Sequence, residues 1–83
     1  MHEVVFDEKA IDSLNELPKQ IKERIFSKII AAKENPLHYF ERLKGRKDYK
    51  LRIGDYRVVA DIDTNSRKIK VTLAGHRKNI YDK

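Results

Sequence analysis

With 83 residues, 39% charged and 40% hydrophobic, the chain has room for one small domain (residues 1–83) and is neither disordered nor membranous in composition. No apolar run approaches the roughly 20 residues of a transmembrane helix, and no basic-then-apolar signal opens the chain. The lack of cysteine removes disulfides, thiolate catalysis and thiolate zinc sites, so a soluble cytoplasmic domain is expected. The net charge of +6 is lopsided: residues 1–41 carry 6 Lys+Arg against 8 Asp+Glu, residues 42–83 carry 13 against 5. Such asymmetry points to a polyanionic partner for the C-terminal half.

His2 to Phe6 reads as a short strand. Asp7 is a predicted N-cap, and Ala10, Ile11, Leu14 and Leu17 recur at helical spacing. Pro18 breaks that helix or starts the next one. In the second helix Ile21, Ile25 and Ile29, with Phe26 and Ile30 on an adjoining row, make a wide apolar stripe among Lys and Glu. It is predicted to stop near Asn35-Pro36, because the residue before a proline disfavours helical geometry. A mixed loop from Leu37 to Lys47 follows.

The remainder alternates with period two. Tyr49 to Ile53 is a strand, Gly54-Asp55 a two-residue hairpin turn with glycine first, and Tyr56 to Ile62 the returning strand. After a polar turn at Asp63 to Arg67, Lys68 to Ala74 forms a third strand that Gly75 ends. The predicted architecture is a single small α+β domain: an N-terminal strand, a helical hairpin, then an antiparallel three-stranded meander with the helices packed on one sheet face.

The two-residue turn sets Ile53 across from Tyr56, Leu51 across from Val58 and Tyr49 across from Ala60, and opposed residues share a face. Leu51, Ile53, Tyr56, Val58, Ala60 and Ile62 therefore belong to the face the helices cover, with Ile69, Val71 and Leu73 of the third strand. The open face carries Lys50, Arg52, Arg57, Val59, Asp61, Lys70 and Thr72, and it is cationic. Arg52 falls directly across from Arg57, a like-charge pair that breaks a local rule of sheet pairing, as functional sites often do. Neutralisation by Asp48, Asp61 or solvent is the bland account of the same residues. His2, His38 and His76 have no metal-ligand spacing, and no glycine-rich phosphate loop or nucleophile triad is present, so neither metal nor cofactor is expected.

The ordered segments Leu43-Lys44-Gly45, Tyr49 to Val58 (YKLRIGDYRV) and Gly75 to Tyr81 (GHRKNIY) resemble the RelE family of the RelE/ParE toxin superfamily, over nearly the whole chain. The resemblance implies a toxin of a type II toxin–antitoxin system that cuts messenger RNA in the ribosomal A site and is held inactive by a cognate RelB-like antitoxin in a hetero-oligomer. It implies catalytic roles for Lys50, Arg52, Arg57, Arg77 and Tyr81, with Lys44, Arg46, Lys47, Lys70, His76 and Lys78 as further RNA contacts. Lys50 would help activate the 2′-hydroxyl, because arginine is effectively always protonated and serves to bind and neutralise phosphate. Two departures stand out: position 52 is arginine where familiar members carry lysine, and the step from Arg77 to Tyr81 is short. The rival from another class is a ParE-like protein that poisons DNA gyrase without nuclease chemistry. Simple alternation places Arg77 on the core parity with Leu73, so a bulge at Gly75 or a curl of the tail is needed to bring it to the cationic face.

Overall fold

The computed structural model describes residues 2–45 and 47–80, with the side chains of Asn79 and Ile80 excepted. The chain runs β1 (Glu3–Phe6), α1 (Glu8–Asn15), α2 (Lys19–Ala32), α3 (Pro36–Tyr39), β2 (Glu41–Arg42), β3 (Tyr49–Ile53), β4 (Tyr56–Asp63), β5 (Lys68–His76) and α4 (Arg77–Ile80). One five-stranded sheet has the order β1-β5-β4-β3-β2. The meander β3-β4-β5 is antiparallel, as the alternation predicts, and β1 joins it parallel to β5. α1 packs over β5 and α2 over β3, so the α+β architecture with helices on one sheet face holds.

Local chemistry explains the element ends. The Asp7 carboxylate accepts from Ala10 N–H at 3.0 Å and caps α1. Pro18 takes the N-cap position of α2, one residue before the first turn. α2 stops at Ala32, earlier than the Asn35-Pro36 signal suggests, because Pro36 opens a four-residue helix of its own with Asn35 as N-cap. The segment expected to be a loop thus holds α3 and the two-residue strand β2, which pairs Glu41 with Lys50 and Arg42 with Tyr49. The Asp63 carboxylate closes the β4–β5 turn by accepting from Asn65 and Ser66 N–H, and these bonds, Ser66 first, hold its carboxyl below the usual carboxylate range.

The core lies between the helices and the sheet. Ile25, Ile29, Leu51, Val58, Ile69 and Val71 are its largest fully buried side chains. Tyr49, Tyr56 and Ile62 pack against it from the same face, as hairpin parity requires. The wide apolar stripe of α2 is only half used: Ile25 and Ile29 are buried, Phe26 is 39% exposed and Ile30 63%. Truncating Ile69 removes buried volume and Ile30 does not. Ile69→Ala is expected to cost about 2–5 kcal/mol and Ile30→Ala less than about 0.5 kcal/mol, read as shifts of the urea midpoint.

Candidate nucleic-acid interface

The β3–β4 hairpin has the register that its turn demands: Ile53 opposes Tyr56, Arg52 opposes Arg57, Leu51 opposes Val58 and Lys50 opposes Val59. Gly54 adopts φ +59°, the sign required of a glycine at the first central position of such a turn. Lys50, Arg52 and Arg57 therefore share the face away from the helices.

On the other side of β4 the ladder slips. Val59 pairs with Leu73 but Ala60 pairs with Val71, so Thr72 is an extra residue in β5, a β-bulge. Its hydroxyl donates to Val59 O at 3.3 Å. Two sequence expectations change as a result. Leu73 leaves the core set: it opposes Val59 on the open face and lies outside the apolar cluster. The parity reset that Arg77 needs occurs at Thr72 and not at Gly75, which is buried inside β5 instead of ending it. Beyond the bulge Gly75 opposes Arg57 and His76 opposes Tyr56; the strand ends there, and Arg77 is the first residue of α4. The Arg77 N–H bonds Asp55 O at 2.8 Å, holding this residue against the hairpin turn.

The cations differ in kind. Arg52 and Arg77 are exposed. Arg57 is only 5% exposed, and its Nη1 donates to Gly54 O at 2.8 Å and Tyr56 O at 2.9 Å. Its guanidinium is thus folded onto the hairpin turn, fixing the turn while setting a positive charge beneath the surface that Arg52 and Arg77 present. Lys50 is partly covered, and its Nζ stands 3.6 Å from the Glu41 carboxylate. Glu41 was invisible as a site residue because a two-residue strand has no readable period, yet it sets a proton-accepting group beside Lys50.

Other expected contacts scatter. Lys44 and Lys47 are exposed and line a shallow hollow on the β2–β3 connection with Arg42, Leu43 and Gly45. Lys70 opposes Asp61, four residues along β4 from Arg57 or roughly 13 Å away. His76 falls on the helix-side parity: its ring meets Tyr56 edge-on at 5.3 Å, and its Nδ1 accepts from Lys78 N–H at 3.2 Å. Lys78 is exposed beside Arg77. Tyr81 and Arg46 lie outside the described residues. Among the described residues, no cluster of His, Asp and Glu has the arrangement of a metal site.

The chain belongs to the RelE/ParE superfamily: the family described as the ParE toxin of the type II toxin–antitoxin system matches residues 4–81. Solved structures agree on the fold. A chain of the toxin–antitoxin complex RelBE2 from Mycobacterium tuberculosis superposes with a TM-score of 0.83 at 23% identity, covering 92% of this chain and 98% of that one. The isolated RelE toxin of E. coli gives a TM-score of 0.79 at 22% identity, with 92% and 84% covered. A chain of the RelB–RelE complex of Methanococcus jannaschii gives 0.74 at 25% identity, with 94% and 95% covered. No curated protein sequence matches.

The differing burial of the two opposed arginines has a measurable consequence. Arg57→Ala is expected to lower stability by about 1.5–3 kcal/mol, the worth of hydrogen bonds from a charged donor. Arg52→Ala is expected to leave stability unchanged or raise it by up to about 1 kcal/mol, since it relieves a like-charge cross-strand pair. Urea unfolding of the two variants beside the parent chain checks both signs.

Proposed function

We propose that the chain is a toxin that cuts messenger RNA in the ribosomal A site, and that it is held inactive in the cytoplasm by a RelB-like antitoxin. The observation that carries this reading is the opposition of Arg52 and Arg57 at the hairpin end of the sheet, with Lys50 two pairs further along and the backbone of Arg77 bonded to the hairpin turn. In the reaction the 2′-oxygen bonds to phosphorus as the bond to the 5′-oxygen breaks. One proton leaves the 2′-hydroxyl and another reaches the departing 5′-oxygen. Arg52 and Arg77 are suited to grip the phosphate and neutralise the charge that builds on its oxygens. Arg57 supports them from beneath with a fixed charge. Proton traffic falls to the Lys50–Glu41 pair and, in this reading, to Tyr81. Lys44, Arg46, Lys47, Lys70, His76 and Lys78 are assigned to flanking RNA. The antitoxin assignment follows the relatives solved as RelB–RelE complexes.

A second reading has one observation in its favour: the family that matches is that of the ParE toxin. A ParE-like chain would poison gyrase and have no use for an arginine cluster as a nuclease site. Adding the purified chain to a translating extract and mapping message ends separates the two. Cut messages, with Arg52→Ala and Arg77→Ala each lowering cutting about 10²–10³-fold, are the expected result. Undiminished cutting by both variants would mean the site is misplaced. Gyrase arrest with intact messages would select the second reading.

A further inference from the structure

The hairpin turn is approached by a cation from the helical layer as well. A β-carbon at Gly54 would stand 3.3 Å from Arg24 Nη2, so the guanidinium of this α2 residue lies against the turn that Arg57 holds from the other side. Nothing in the sequence links Arg24 to residue 54, thirty positions away. One helical turn on, about 6 Å along the axis, Lys28 sits with its Nζ 5.8 Å from the centre of the Tyr39 ring.

Arg24, Lys28 and Tyr39 form one wall of an open groove of about 760 Å³, and Arg52 with Gly54 forms the other. β2 pairs with β3 only at Tyr49 and Lys50, which leaves the outer edge of β3 from Leu51 onward without a strand partner. Arg24, Lys28 and Arg52 are all exposed, and Glu23 is the one acid among the lining residues. Among the described residues, no ion pair takes up any of these three cations.

Arg52 belongs to both surfaces: by register to the open sheet face, and by position to the rim of the groove. A polyanionic strand gripped at Arg52 can therefore continue into the groove without leaving positive potential. The lining sets three cations, Arg24, Lys28 and Arg52, against the single acid Glu23, a balance suited to the regularly spaced charges of a phosphate backbone.

We propose that this groove is a second RNA subsite, in which Arg24 and Lys28 each neutralise a phosphate of the single strand that adjoins the nucleotide held at Arg52 and Arg77. The subsite rests on the RNA-binding reading given above and adds binding residues to it, not catalytic ones.

The test uses the whole chain and an uncleavable probe, a fluorescein-labelled dodecamer of 2′-O-methyl uridylate, with affinity read by anisotropy across a range of KCl. Each neutralised phosphate of a single strand contributes about 0.7 to the slope of log K against log salt. Arg24→Ala/Lys28→Ala is expected to reduce that slope by about 1.4, while Lys9→Ala on α1, an equally exposed cation away from the groove, leaves it unchanged. If the double variant fails to fold, Arg24→Gln and Lys28→Gln are read singly, each with an expected loss of about 0.7. A slope equal to that of the parent chain overturns the subsite while leaving the messenger-RNA reading intact. A parent chain that binds no dodecamer overturns the subsite, while the messenger-RNA reading stands or falls by the translating-extract assay. Loss of antitoxin binding with an unchanged slope overturns the subsite too, and assigns the groove to a protein partner.

Discussion

Between Val59 and Ala60 the β4–β5 ladder admits one residue too many, and the position of Arg77 depends on that slip. Were Thr72 regularly paired, the alternation that buries Ile69 and Val71 would carry Leu73 into the core and turn Gly75 to the helix side. With the bulge, Ala74 is buried instead, Leu73 moves to the open face, and the chain reaches the hairpin turn with Gly75 opposite Arg57 and the Arg77 N–H bonded to Asp55 O. A bulge also increases local twist. The sheet thus satisfies two demands that strict alternation sets against each other: an apolar face under the helices and a cationic end on the opposite face.

The hairpin end gathers charge that a sheet would normally avoid. Arg52 and Arg57 oppose one another, a pairing that costs up to about 1 kcal/mol. The two carbonyl bonds from Arg57, together worth about 1.5–3 kcal/mol, outweigh that cost and fix the turn in the same act. The division of labour follows from burial. Arg57 organises the turn, and the exposed Arg52 and Arg77 are the groups able to meet a phosphate directly.

The hairpin register was legible because a two-residue turn with glycine first leaves no choice of pairing, and period two then assigns every face. The helix cap at Asp7 and the helix boundary at Pro18 were legible for similar local reasons. The bulge was not: Val71-Thr72-Leu73-Ala74 keeps its alternation through the slip, and Gly75, the residue that invites a bulge, is regular strand. Phe26 and Ile30 misled because an apolar row on a helix does not say how much of it the sheet can cover. β2, α3 and the approach of Arg24 to Gly54 are tertiary events. Two-residue or four-residue elements carry too little pattern to announce themselves, and a contact between a helix and a distant turn has no local signature.

The central claim is that Arg77 and Arg52 form one anion-binding surface across the hairpin end. Its most direct measurement is an NMR titration of the labelled chain with an uncleavable dinucleotide, following the arginine Nε–Hε resonances. The account predicts that Arg52 and Arg77 shift together with a single dissociation constant, with Arg67 at the far end of the sheet unmoved. A shift at Arg52 with Arg77 silent would contradict it, because the two would then belong to different surfaces.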